Sequence, residues 1–207
     1  MNVYETICGD SRDLRQGDLL YPVAFARFSL TEALVVSPDS PQPKTTNLAK
    51  NFDSDQTQLV VNADRSYGMV INQSCDLSVR SNRERPILVA RVTPCSKRIK
   101  GWAEKTSDKS RAKSVLELSN PGKHPAVFYL PEFVYGGTRV EPSVVDLLDM
   151  TTFVPKDIDA LVQCRCIRLS AVALQALQER LAYCFGRFGA PDNFFLSETE
   201  RAALGEE

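Results

Sequence analysis

The sequence is short of several things that would narrow its function. It holds one histidine, His124, and one tryptophan, Trp102. There is no P-loop, G-x-G-x-x-G, H-E-x-x-H or nucleophile elbow, so the common phosphate-cradling, zinc-protease and serine-hydrolase chemistries are not indicated. No apolar run approaches the roughly 18 residues needed to span a bilayer, and no repeat or heptad pattern is present. The opening M-N-V-Y-E-T-I-C-G-D lacks the basic and apolar regions of a signal peptide, so a cytoplasmic protein is expected. With a net charge of −1, global charge says nothing about nucleic acid or membranes.

Cysteine spacing is equally uninformative. Cys8, Cys75, Cys95, Cys164, Cys166 and Cys184 form no C-x-x-C pair, and free, mostly buried thiols are expected. A zinc site would have to join Cys164 and Cys166 to Cys75 or Cys95; no metal and no cofactor is expected. Asp146, Asp149, Asp157 and Asp159 do not have the spacing of a metal loop and read as turn and helix-start residues.

What is present is a succession of short apolar strands followed by one good helix. Gln16-Gly17-Asp18 is a turn leading into a strand over 19–25, where Pro22 suggests an edge or a bulge. Residues 37–56, rich in Pro, Ser, Asn and Asp, read as a long loop. Residues 59–62 and 68–72 read as two strands joined around 63–67, and 86–93 (P-I-L-V-A-R-V-T) as a core strand buried on both faces. A strand over 164–169 should be half exposed, with Arg165 and Arg168 outward. Ser170 caps a helix whose apolar stripe runs through Leu174, Leu177, Leu181, Cys184, Phe185 and Phe188. The expected fold is mainly β (α+β), a small β-barrel over 1–155 with a loop at 37–56 and a basic helical insertion at 96–120. A C-terminal helical extension over 156–207 should pack on it.

Two stretches could carry function. The strand Met69–Ile71 stops abruptly in Asn72, Gln73, Ser74, Cys75 and Asp76, which puts amide, hydroxyl, thiol and carboxylate groups at a strand end. Such a cluster is either a side-chain-bonded turn or a binding pocket at the barrel mouth. A Cys75 nucleophile with His124 as base is the sharper version and would make a Cys-dependent hydrolase. The second stretch, Lys97–Lys113, carries seven Lys/Arg against Glu104 and Asp108, with Trp102 among them. Lys97, Arg98, Lys100 and an exposed Trp102 could hold an acidic protein segment or RNA.

The order Gly17-Asp18-Leu19-Leu20, then Met69–Gln73, then Ile87–Thr93-Pro94 resembles the MazF/PemK toxin-type SH3-like barrel, particularly bacterial barrels carrying a Q-S-C-D-like motif. The resemblance spans about residues 15–95. It implies a toxin–antitoxin or phage-defence locus, a protein partner from that locus, and RNA as the alternative ligand; it implies nothing about oligomeric state. In that family an Arg-Pro pair precedes the central strand, and its Arg stabilises phosphate charge during RNA cleavage. Here Tyr67-Gly68 stands in that place, with Arg65 two residues back, while Thr93 matches the Thr or Ser ending the next strand. The expected role is therefore protein binding. The alternative is an endoribonuclease using Thr93 with Arg65, Arg85 or a lysine of 97–113 in place of the missing arginine.

Overall fold

The computed structural model describes residues 2–5, 13–27, 33–37, 40–46, 58–73, 77, 86–102, 107–120 and 122–186. The chain is mainly β, a curled antiparallel sheet with a few helices. Seven strands make the main sheet: β1 (Tyr4–Glu5), β2 (Asp18–Arg27), β6 (Asn62–Val70), β7 (Ile87–Pro94), β8 (Val127–Leu130), β11 (Ser143–Phe153) and β12 (Arg165–Leu169). Their spatial order is β1-β12-β2-β6-β7-β11-β8. A smaller sheet joins β3 (Ala33–Ser37), β4 (Ser40–Thr46) and β5 (Gln58–Val60), and β9 (Phe133–Tyr135) pairs with β10 (Thr138–Val140). The helices are α1 (Cys95–Arg98), α2 (Asp108–Leu118), α3 (Ile158–Gln163) and α4 (Ala171–Gly186). Among the described residues no helix is long and apolar enough to cross a membrane.

Alternation along the strands sends side chains to two separate cores. On the first face Leu19, Met69, Ala90, Val92, Val145 and Leu169 pack under Ala173, Leu177 and Cys184 of α4 and under Phe133 and Val140 of the β9–β10 hairpin. On the second face Leu20, Val23, Phe25, Val70, Ile87 and Val89 pack against Leu161 of α3. Beside them Val127 and Val144 pack against Cys95 and Trp102.

Several expectations are corrected. Residues 40–46 form a strand, paired with β3. Pro41 and Pro43 lie in β4, an edge of its sheet, which is where strands tolerate proline. Residues 62–70 are one strand rather than a strand and a connection, since β2 runs to Arg27 and pairs with Ala63, Asp64 and Arg65. Pro22, expected at an edge or a bulge, does sit at a bulge, between Leu20 and Val23 of β2. The extension beginning at 156 contains β12, which lies inside the main sheet between β1 and β2. Phe185, read as part of the buried stripe of α4, is 43% exposed, and Ala173 takes a place in the core instead.

Arg165 and Arg168 are buried, not outward. Asp18 is wholly buried and directly opposite Arg168. Its carboxylate accepts from Arg168 Nε at 2.5 Å and Nη2 at 2.9 Å, and from the Arg15 backbone N–H at 2.8 Å, with Arg165 Nη1 at 3.6 Å. A buried carboxylate with that many donors is well compensated; the arginines without it are not. Asp18→Ala is expected to destabilise the fold by about 3–5 kcal/mol, read as a lowered urea midpoint; an unchanged midpoint would show the network to be dispensable.

Candidate functional site

The strand end at Ile71 is held by the turn that precedes β2. Gly17 N–H donates to Val70 O at 2.9 Å, and Gln16 Nε2 donates to Ile71 O at 2.7 Å. Asn72 continues the ladder with its side chain: Oδ1 accepts from Leu88 N at 2.5 Å and Nδ2 donates to Pro86 O at 3.1 Å. The first polar residue of the cluster thus closes the strand end. Gln73 is exposed and lines a groove of about 820 Å³ with Gln16, Ile71, Leu88, Met150, Gln178 and Phe185, between this end of the sheet and α4. Ser74, Cys75, Asp76 and Arg85 lie outside the described residues.

The register separates the other nuclease candidates. Gly68 stands opposite Arg91 and Tyr67 opposite Val92, so Ser66, Gly68, Arg91 and Thr93 share the second face while Arg65 and Tyr67 share the first. Arg65 and Thr93 therefore point to opposite sides of the sheet and do not form a pair. Tyr67 stacks on Tyr21 with ring centroids 4.4 Å apart and meets Phe133 edge-on at 5.9 Å. Gly68 has no room for a side chain: a Cβ there would stand 2.5 Å from Val89 Cγ1 and 3.1 Å from Val23 Cγ2.

Sequence reasoning passed over Arg91, although a lone charge inside P-I-L-V-A-R-V-T was the available signal, since a buried cation needs partners. Its guanidinium lies over Phe25, 4.4 Å from the ring centroid, with Asp149 Oδ2 2.8 Å from Nε and Asp64 Oδ2 3.9 Å from Nη1. The Asp149 contact is close but not aligned as an N–H···O bond, and Nη2 has no hydrogen-bond partner among the described residues. Asp149 sits where β11 shifts register between Asp146 and Met150, and that irregularity brings the carboxylate to Arg91. Asp146 and Asp149 thus belong to a strand and its bulge, not to a helix start. Losing Asp149 leaves a buried charge short of its closest partner, so Asp149→Ala is expected to cost about 3 kcal/mol. Arg91→Met on that background should restore most of the loss in urea unfolding; a double variant no more stable than Asp149→Ala would refute the pairing.

The basic stretch divides into α1 and α2 around Trp102. Lys97 and Lys100 are exposed, and Arg98 Nη2 meets Asp146 Oδ2 at 3.3 Å. Trp102 is buried, at 8% exposure, contrary to expectation, because its indole fills the core under Val127 and Val144. Arg111 lies over the ring at 5.8 Å. A groove of about 950 Å³ opens beside it, lined by Arg111, Ala112, Val115 and Leu116 of α2 and by Tyr129, Pro131, Glu132, Arg139, Glu141 and Pro142. His124 is exposed at a separate, shallower hollow with Arg98, Lys123, Asp146 and Asp149.

The described thiols are free, and no group of three or more His, Cys, Asp or Glu among the described residues could hold a metal ion. Burial pushes the Cys95 thiol up to about 11, helped by Glu141. Burial likewise pushes Cys166 up to about 11, against a lowering hydrogen bond from Tyr135. Both are neutral at pH 8, the wrong state for a nucleophile. Because their folded values lie above the ordinary 9.0, the stability they contribute is intact below about pH 9 and is lost as pH rises towards 11. Iodoacetamide at pH 8 should leave Cys95 and Cys166 of the folded protein unlabelled by mass spectrometry; rapid labelling of either would contradict this.

No family model, no curated protein and no solved structure matches the chain.

Proposed function

We propose that the chain is a protein-binding, regulatory component of a bacterial phage-defence or toxin–antitoxin locus, built on an SH3-like barrel of the MazF/PemK type. The observation that carries the choice of binding over cleavage is the arrangement around Thr93. The one described arginine on its face and strand, Arg91, is buried under Phe25 and engaged by Asp149. Arg65 is on the other face. Phosphoryl-transfer chemistry needs a cation aimed at the charge that develops in the transition state, and a buried cation already engaged by the half-buried Asp149 supplies little. The curled antiparallel sheet is compatible with a barrel, and two open grooves flank it.

Affinity purification of the full chain from cells carrying its own locus is expected to recover a locus-encoded protein in stoichiometric amount. Recovery of no such protein would overturn the reading. So would growth arrest with RNA cleavage on expression, abolished by Thr93→Ala, which would establish the endoribonuclease instead.

A further inference from the structure

We infer that the groove beside Trp102 receives an acidic segment of the partner protein, with one large apolar side chain seated between Leu116, Tyr129 and Pro131. The inference rests on the protein-binding reading above and names its site and its chemistry.

The apolar half of the argument comes from α2. Val115 and Leu118 pack inward beside Trp102, whereas Ala112 and Leu116 line the open groove and Leu116 is 73% exposed. With Tyr129, Pro131 and Pro142 opposite, they form two apolar walls about a cleft of roughly 950 Å³, large enough for an anchor residue and its neighbours. Aromatic and aliphatic anchors in such clefts carry most of the energy of protein recognition.

Charge selects the occupant. Among the residues of 95–118 whose exposure is described, the exposed ionised ones are Lys97, Arg98, Lys100, Lys109, Arg111 and Lys113 against Glu117, and Asp108 adds one more carboxylate at the start of α2. Glu117 is met by Lys123 at 3.4 Å. On the far wall Glu132 is engaged by Arg139 and Glu141 accepts from Ser96 Oγ at 2.7 Å. Arg139 and Glu132 of the lining offset each other, and Arg98 is engaged by Asp146, so the positive excess comes from Arg111 and the exposed lysines of 97–113, which complements Asp and Glu flanking an apolar anchor. RNA fits less well. The indole is nearly closed to solvent and Arg111 lies over it, leaving no open ring for a base.

A phage-displayed library of random peptides panned against the full chain tests this directly. Enriched sequences should combine Asp or Glu with Trp, Phe or Leu. Synthetic versions should bind with a change in the emission of Trp102 and weaken as salt is raised. Leu116→Lys, at an exposed site, should weaken them at least about tenfold with thermal unfolding unchanged, and Arg111→Glu should weaken them by a similar factor. Enrichment of nothing, enrichment of sequences without acidic residues, equal binding to both variants, or displacement of the peptides by homopolymeric RNA would each overturn the inference. If a locus-encoded partner is recovered equally by Leu116→Lys, this groove is the wrong site while the binding role stands. If no partner is recovered, the binding role itself fails.

Discussion

The buried carboxylate of Asp18 ties together parts of the chain that are far apart in sequence. Arg168 reaches it from β12, 150 positions away, and also donates from Nη2 to Asp13 O at 3.1 Å. The preceding residues complete the knot. Gly17, at φ +83°, sits so close to Leu169 that a Cβ would stand 3.2 Å from its Cδ1. It donates to Val70 O and accepts from Leu169 N. Gln16 donates to Ile71 O and accepts from Gln178 of α4 at 3.0 Å. Three residues thus fix the end of β6, the end of β12 and the position of α4. A charge cluster in water would contribute little; here, with Asp18 buried and its two arginines held by it and by Asp13 O, the same groups hold the sheet in one register.

That register decides which side chains can cooperate. Tyr67 and Gly68 are neighbours in sequence but serve opposite faces, one in an aromatic stack and one beneath Val23 and Val89. An arginine in the place of Tyr67 would therefore face away from Thr93. What the second face offers instead is Arg91, two residues before Thr93 and engaged by a carboxylate from a bulge. The same alternation that builds two cores removes the arginine–threonine pair.

Much of this order was legible because it is local. The G-D turn, the buried run at 87–93 and the capped helix α4 are written in periodicity and turn chemistry. Ser170 does cap α4, accepting from Ala173 N at 3.5 Å. What could not be read is long-range. Arg165 and Arg168 look solvent-facing until Asp18 is placed beside them. Residues 63–67 look like a connection until β2 supplies a ladder. Trp102 looks exposed amid lysines because nothing local announces Val127 and Val144. Of the polar cluster, Asn72 completes the strand's own hydrogen bonds and Gln73 borders a groove, while Ser74, Cys75 and Asp76 lie outside the described residues.

The groove beside Trp102 follows from the poverty of α2 in apolar residues. A helix that seals a core needs a stripe at least about 100° wide, and D-K-S-R-A-K-S-V-L-E-L supplies only Val115 and Leu118 to the interior. Ser107 starts the helix by accepting from Ser110 N at 3.2 Å, and Arg180 of α4 donates to Ser119 O at its far end. Held at both ends but thinly packed between them, α2 stands off from Tyr129 and Pro131 and leaves a cleft. Its lysines and arginine give the α2 side of that cleft an exposed cationic surface. The charge run that composition marks as a solvated face and the apolar residues that pattern marks as incomplete packing are two aspects of one surface.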